Sequence, residues 1–261
     1  MKLGLEGKIV LVTGGSKGIG FACARLLALE GARVAIVSRS AEHLCEAQKS
    51  FAAAGLTVAT YAADLRSADE AARVVEAVES DLGAVDVLVT SAGAAKRYAP
   101  ETLDPKAWHE TMDAKYFTTM HVVDPVIKRM AASGRGVIVN IIGSGGKVAG
   151  VHHIAGGAAN AALMLATAGL ANAYAKRGVR VLAINPGATM TSRVKEALAL
   201  EAAEQGISED EAQKRGESRI PMGRFADPDD IARMVAFLVS DQASYVTGAI
   251  IPMDGGSNPV I

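Results

Sequence analysis

Short apolar runs alternate with helical stretches along most of the chain. Each run is four to seven residues long and rich in Val, Ile and Leu, which is typical of strands buried on both faces of a sheet. The predicted strands are 8–13, 33–38, 56–62, 85–91, 136–142, 179–185 and a last one at 249–252. Strict alternation of strands and helices predicts right-handed crossovers and a parallel sheet with helices on both sides. The fold class is therefore α/β, a Rossmann-like doubly wound sheet.

Helical spacing fills the intervals between these runs. The predicted helices are 18–30, 41–54, 67–82, a long region from Asp104 to Met130, 155–176 and 228–239. The alternation breaks after Pro186, where 189–221 is charged and partly helical, the profile of a lid or substrate loop. The chain contains no repeats or linkers, so we predict a single domain over 1–261.

Composition narrows the classes of function. The 27 basic and 28 acidic residues give a net charge of −1, which favours neither nucleic acid nor an anionic membrane surface. Residues 148–175 hold no charged side chain, yet they are mostly small or polar, so we predict a buried or subunit-interface helix, not a membrane span. With two cysteines and no secretory pattern at the start, we expect reduced thiols and a cytoplasmic location.

The first strand leads into a glycine-rich turn and then a helix. Such glycines let backbone N–H groups approach a pyrophosphate, which binds at the positive end of the helix. This placement between the first strand and the first helix predicts a dinucleotide site and distinguishes it from a plain structural turn. The candidate residues of this loop are Gly14, Ser16, Lys17, Gly18, Ile19 and Gly20.

The end of the second strand indicates the type of dinucleotide. An NAD site usually carries an acidic residue there for the ribose 2′-hydroxyl. This chain has Ser38, Arg39 and Ser40 instead, with Lys17 in the glycine loop. Two cations and two hydroxyls suit a 2′-phosphate, so NADP(H) is predicted as the cofactor. The alternative is that Arg39 is an ordinary solvated side chain.

These residues resemble the short-chain dehydrogenase/reductase family over essentially the whole chain. Residues 13–20 match its TGxxxGxG motif, and 245–248 and 254–256 match its C-terminal signatures. The resemblance implies further cofactor-binding residues: Asp64 and Leu65 for the adenine, Ser91, Ala92 and Gly93 after the fourth strand, Asn160 on the long apolar helix, and Pro186, Gly187, Thr189 and Thr191 for the nicotinamide carboxamide. It also implies a homo-oligomer, either tetramer or dimer, and a small-molecule alcohol or carbonyl substrate.

The sequence departs from the family where its chemistry is performed. Family members use a Tyr-x-x-x-Lys pair with a Ser and an Asn to move a proton and orient the carbonyl. This chain contains no Tyr-x-x-x-Lys pair. Aligned with the family, it has Gly156 for Tyr, Asn160 for Lys, Gly143 for Ser and Lys115 for Asn. Gly156 and Gly157 then leave a void that either admits a larger substrate or is filled by a neighbour.

Substitute proton donors are available in the same region. His153 is the first candidate because an imidazole titrates near neutral pH, followed by Ser144 and Lys115. Each also has an ordinary explanation: a polar loop histidine, a turn-forming serine and a solvated or ion-paired lysine.

Three functions are compatible with these features. The first is an NADP(H)-dependent oxidoreductase with a non-standard proton donor, and the second is a catalytically inactive NADP(H)-binding sensor or partner subunit. The third is a non-redox enzyme, as halohydrin dehalogenases are on a similar fold. Those enzymes abandon the glycine-rich loop and keep a Ser and a Tyr, the reverse of this sequence, so we rank this function last.

Overall fold

The fold is a parallel sheet of seven strands, seen in a computed structural model that describes residues 2–93, 96–148 and 150–259. The strands are β1 (Ile9–Thr13), β2 (Arg33–Ser38), β3 (Val58–Ala62), β4 (Val87–Thr90), β5 (Gly136–Ile141), β6 (Val179–Pro186) and β7 (Ile250–Met253). Their order is β3-β2-β1-β4-β5-β6-β7, and every neighbouring pair is parallel. The order reverses between β1 and β4, where doubly wound sheets bind their ligands. The predicted fold class is confirmed.

Helices cover both faces of this sheet. They are α1 (Gly18–Leu29), α2 (Ala41–Ala53), α3 (Ala68–Leu82), α4 (Pro105–Met112), α5 (Thr118–Ser133), α6 (Ile154–Tyr174), α7 (Ser192–Gln205), α8 (Glu209–Ser218) and α9 (Pro228–Val239). One core cluster joins α1, α2 and α9 to the sheet, and a second joins α3, α5 and α6 to the opposite face. The alternation of apolar runs therefore predicted the parallel sheet and the helix layers on its two faces.

The long helix predicted from Asp104 to Met130 is interrupted. Asp104 caps α4 by accepting a hydrogen bond from the Ala107 N–H at 2.7 Å. A π-helical turn over Asp113–Phe117 then separates α4 from α5. A π turn adds one residue to a helical turn and often occurs at functional sites. One added residue hardly changes the apolar spacing, so the sequence pattern predicts a continuous helix here.

The uncharged helix α6 belongs to the core. By length and composition, Ile154–Arg177 could cross a membrane, but half of its most apolar window is buried inside the protein. Leu163 and Met164 pack in a core cluster with Ile142 of the strand-end loop. Leu165, on another face of the helix, is 77% exposed.

The charged region 189–221 forms a small unit of its own. The helices α7 and α8 pack together through Leu198, Ala202 and Ala212. A parallel bridge between Thr189 and Ala226 ties the start of this region to the chain before α9. The prediction of a partly helical segment is correct, and its function as a lid stays a prediction. The sequence also predicts that the loops 94–98 and 145–153 shape substrate binding. Ala94, Ala95 and Ala149 of these loops lie outside the described residues.

Candidate functional site

The glycine-rich loop after β1 is packed so closely that side chains are excluded at key positions. A Cβ on Gly20 would lie 2.3 Å from the Gly14 carbonyl oxygen, and one on Gly14 would lie 2.8 Å from the backbone of Ser91 and Ala92. Thr13 Oγ1 accepts hydrogen bonds from the N–H groups of Ser91 and Ala92, both at 3.2 Å. The loops after β1 and β4 are thereby held together at the carboxyl edge of the sheet.

A cavity of about 1010 Å³ opens at this edge. Pockets for small molecules and cofactors usually occupy roughly 300–1,000 Å³, so this cavity has room for an extended dinucleotide. Ten residues predicted from the sequence to bind the cofactor line it: Gly14, Ser16, Lys17, Ser38, Arg39, Asp64, Leu65, Ser91, Ala92 and Gly93.

The other nine predicted cofactor residues do not line this cavity within the described residues. Gly18, Ile19 and Gly20 form the first turn of α1. Ser40 caps α2, its hydroxyl accepting from the His43 N–H at 3.2 Å. The remaining five are Asn160 on α6, Pro186 at the end of β6, and Gly187, Thr189 and Thr191 in the chain that follows. Thr191 Cγ2 comes within 3.2 Å of a Cβ position on Gly18, so this chain segment lies against the glycine-rich loop.

The cavity also holds basic groups that sequence reasoning missed, notably His43 and Arg66 beside Lys17 and Arg39. Arg66 forms a bidentate pair with Asp64, with Nε 3.0 Å from each carboxylate oxygen, and this pair holds the pKa of Asp64 below its usual range. Nothing in the linear pattern marks His43 or Arg66, because they reach the cavity from the first turn of α2 and the turn before α3. This donor set suits the phosphates and adenosine of a dinucleotide.

The space opposite Gly156 is filled by the imidazole of His153. A Cβ on Gly156 would lie 2.2 Å from His153 Cε1, and one on Gly145 would lie 2.9 Å from His153 Cδ2. The ring is therefore sandwiched between the 144–146 turn and the start of α6. Of the two outcomes expected for the void at Gly156 and Gly157, filling by a neighbour is the one observed. Any side chain at 156 would displace this ring.

Backbone hydrogen bonds fix His153 at the N-terminus of α6. Its N–H donates to the Gly150 carbonyl at 2.8 Å, and its carbonyl accepts from the Gly157 N–H at 2.7 Å. Partial burial lowers the pKa of His153 below its ordinary value of 6.5, and the positive charges of Lys115 and Arg97 lower it further. The imidazole is therefore neutral at neutral pH, which suits a proton acceptor better than a proton donor.

Lys115 lies in the π turn and points toward the end of β5. Its Nζ donates to the Ile142 carbonyl at 3.1 Å, and a Cβ on Gly93 would lie 3.5 Å from its Cα. Burial lowers the pKa of Lys115 to about 8, with a further contribution from the charge of Arg193. An ammonium with this pKa can release a proton near neutral pH.

The other two positions of the altered site are packed closely. Asn160 is buried, and its Nδ2 lies 3.4 Å from the Gly143 carbonyl oxygen, while its Oδ1 has no hydrogen-bond partner among the described residues. Ser144 begins the short 3-10 turn against α6, and its hydroxyl makes no hydrogen bond within the described part of the chain. Neither residue lines the cavity, nor do His153 and Lys115.

Two more basic residues face the cavity and were not singled out from the sequence. Lys96 follows the Ser91–Gly93 loop, and Arg193 lies in the first turn of α7. Neither residue belongs to a recognisable sequence motif, and only the tertiary structure brings them to the same cavity.

Comparison with known proteins assigns the chain to a family. A family model described as enoyl-(acyl carrier protein) reductase matches residues 14–258. The chain is 34% identical over 256 residues to cis-4-hydroxycyclohexanecarboxylate dehydrogenase of Sinomonas cyclohexanicum, covering 97% of each protein. It is also 34% identical to D-threitol dehydrogenase of Mycolicibacterium smegmatis, covering 97% of this chain and 93% of that protein.

Solved structures match over the same extent. The complex of L-sorbose reductase from Gluconobacter frateurii with NADPH and L-sorbose superposes with a TM-score of 0.95 at 28% identity, covering all of both chains. A variant of actinorhodin polyketide ketoreductase with NADPH gives a TM-score of 0.91 at 32% identity, covering 96% of this chain and 97% of that one.

Proposed function

The chain belongs to the short-chain dehydrogenase/reductase family, and from this premise we propose that it is an NADP(H)-dependent oxidoreductase acting on an alcohol–carbonyl pair. The observation that carries the proposal is the convergence of the glycine-rich loop, Arg39 and the loop after β4 on one cavity. The cofactor, when bound, supplies or accepts a hydride. The residues of this chain bind it, orient the substrate and move the accompanying proton.

Preference for NADP(H) over NAD(H) follows from charge. Arg39 and Lys17 both line the cavity, and Ser38 adds a hydroxyl at the end of β2. A 2′-phosphate can accept charge-assisted hydrogen bonds from these groups, whereas NAD(H) has only an uncharged 2′-hydroxyl there.

Fluorescence titration of the purified protein with NADPH and NADH tests this proposal directly. We expect clearly tighter NADPH binding, and Arg39→Gln should weaken it by about tenfold or more, as loss of one charge-assisted hydrogen bond predicts, with little effect on NADH. Arg73→Gln, an exposed arginine on α3, is the matched control. If the protein binds neither cofactor, the oxidoreductase proposal is wrong.

For the proton transfer we propose His153, assisted by Lys115. Two features support this role: the imidazole occupies the space above Gly156, where the family has its tyrosine, and Lys115 influences its pKa. In alcohol oxidation the neutral imidazole would accept the hydroxyl proton as hydride leaves the carbon. In carbonyl reduction an imidazolium or the Lys115 ammonium would donate it. Ser144 is the third candidate, as a hydrogen-bond donor to the substrate oxygen.

Variants at these positions separate the roles. We expect His153→Gln to lower kcat by 10²–10⁴-fold, about the usual contribution of general acid–base catalysis, with unchanged NADPH affinity. His152→Gln, the neighbouring loop histidine, is the matched control. Equal activity of the His153 variant and the control would contradict the assignment.

A second function, a catalytically inactive NADP(H)-binding sensor or partner subunit, is favoured by one observation. His153, Ser144 and Lys115 all lie outside the lining of the cavity among the described residues, and Lys115 is hydrogen-bonded to a backbone carbonyl. This alternative predicts firm NADPH binding with no turnover on any carbonyl compound.

We also propose a homo-oligomer, tetramer or dimer, in the cytoplasm. Leu165 on α6 is 77% exposed, and burial of this apolar side chain against a second copy of the chain would favour association. Light scattering of the wild type and a Leu165→Glu variant tests this, since the variant should shift the mass toward the monomer.

A further inference from the structure

Four basic side chains gather around the loop after β4 and the start of α6. Lys96 and Arg193 line the cavity with Tyr98. Arg97 precedes Tyr98, whose N–H donates to the His152 carbonyl at 3.2 Å, so the 96–98 segment lies against the chain that carries His153. Lys115 lies under Gly93 in the π turn. The 96–98 segment, the π turn and the first turn of α7 therefore bring positive charge to one region.

Within the described residues, these four cations form no ion pair with a carboxylate. Among the residues described, none of Lys96, Arg97, Lys115 and Arg193 has a carboxylate within 4.0 Å, although ten such ion pairs occur elsewhere. Three acidic residues line the same cavity, but Asp64 pairs with Arg66 and Glu110 with Lys106. The charge of the third, Asp113, raises the pKa of Arg66.

The cations also act on one another. Beyond the effect of burial, the charge of Arg193 lowers the pKa of Lys115, and those of Lys115 and Arg97 lower the pKa of His153. Like charges held together without counterions destabilise a folded protein, and a bound anion removes this repulsion. The arrangement therefore favours occupancy by an anion beside His153.

The cofactor already has its own set of phosphate-binding groups. Lys17, Arg39 and the backbone N–H groups of the glycine-rich loop lie at the β1–β2 side of the cavity. Arg97, by contrast, belongs to the segment that lies against the loop of His153. Arg193 lies in the first turn of α7. Arginine forms bidentate hydrogen bonds with planar carboxylates and with phosphate oxygens.

We propose that the substrate carries an oxyanion, a carboxylate or a phosphate monoester, which Arg97 and Arg193 bind while the carbonyl or carbinol carbon lies beside His153. This inference rests on the proposed oxidoreductase function and names its substrate class. The positive charge of Lys96 attracts the anion at longer range, and Lys115 in the π turn adds a further positive charge.

Paired probes on the NADPH-loaded protein test the proposal. One pair is 4-oxopentanoate and 4-oxopentanamide, and the other is dihydroxyacetone phosphate and dihydroxyacetone. Calorimetry gives Kd for each, and NADPH absorbance gives kcat/KM. We expect at least one anion to bind more tightly than its neutral partner, with a Kd lower by about tenfold or more, as a charge-assisted bidentate contact implies. Added salt should reduce the difference. The pair that shows the preference distinguishes carboxylate from phosphate.

Variants locate the effect. Arg97→Gln and Arg193→Gln should each remove most of the preference, while Lys195→Gln, on the same helix as Arg193, should retain it. Arg97 is not among the described residues that line the cofactor cavity, so Arg97→Gln should leave NADPH affinity unchanged. The inference is overturned if neutral probes bind as well as the anions, if no probe binds the NADPH-loaded protein, or if Arg97→Gln weakens NADPH binding itself. Failure of the oxidoreductase proposal has a different signature: either the wild type binds no NADPH, or it binds NADPH and turns over none of the probes.

Discussion

The loop between β1 and α1 and the loop between β5 and α6 are both rich in glycine, yet the glycines have different consequences. Around Gly14 and Gly20, the absent side chains let two backbone segments meet and leave an open cavity in front of them. Around Gly145 and Gly156, the absent side chains make room for one imidazole, and the space is closed. A glycine in this fold can therefore leave space for a ligand or for a neighbouring side chain. Only the atoms around it distinguish the two cases.

The largest effect is expected at the cofactor loop. Gly20→Ala places a methyl group 2.3 Å from the Gly14 carbonyl oxygen, so the loop must move and we expect NADPH affinity to fall by roughly 100-fold, since charge and backbone contacts act together there. Fluorescence titration measures this.

Gly169→Ala is the matched control because Gly169 is also inside a helix but has open space around its Cβ position. This variant should bind NADPH normally and gain about 0.5–1 kcal/mol in unfolding free energy from the helix preference of Ala. A Gly20 variant that still bound NADPH like the wild type would show that the loop does not depend on close packing.

The second effect concerns pH and separates His153 from Lys115. If His153 moves the proton, kcat/KM for alcohol oxidation should rise as pH passes through a pKa below 6.5 and then stay level, because the neutral imidazole is the base. Carbonyl reduction should fall about tenfold per pH unit above that pKa, as the imidazolium is lost. If Lys115 is the donor, reduction instead falls near pH 8. Steady-state kinetics from pH 5 to about 9 make the comparison; a flat profile in both directions would exclude both groups.

The third effect tests the pairing of Gly156 with the imidazole. Gly156→Ala should destabilise the protein by about 1–3 kcal/mol because the His153 ring is displaced. In a His153→Ala background the same change should cost close to nothing, because the space is then open. Urea denaturation of the wild type, the two single variants and the double variant, all at one protein concentration, measures this coupling. Equal costs in the two backgrounds would show that the ring does not occupy that space.

The smallest effect concerns Ser40, which we predicted to bind the cofactor. Its hydroxyl caps α2 through the His43 N–H, so Ser40→Ala should cost about 1 kcal/mol of stability. If capping is its main role, NADPH affinity changes little. A Ser38→Ala variant provides the comparison, because Ser38 lines the cavity directly. If NADPH affinity falls more in the Ser40 variant than in the Ser38 variant, Ser40 contacts the cofactor.

The sequence alone determined the sheet, the position of the cofactor loop and the ten predicted residues that share the cavity. These features depend on local patterns: apolar runs that bury both faces of a strand, glycines where a helix must begin against a neighbouring strand, and side chains at strand ends that meet at one edge.

Tertiary structure decided the rest. The π turn that contains Lys115 depends on a single added residue in a helix. The position of the His153 imidazole depends on how the turn at Gly145 packs against the start of α6. Lys96 and Arg193 are distant in sequence and meet only at the cavity. Linear spacing carries no information about which side chain fills a space left by glycine, because that depends on how two separately predicted elements pack. Repeated local patterns thus determined the fold. The arrangement around Lys115, His153 and Gly156 was determined by individual contacts between separate elements of that fold.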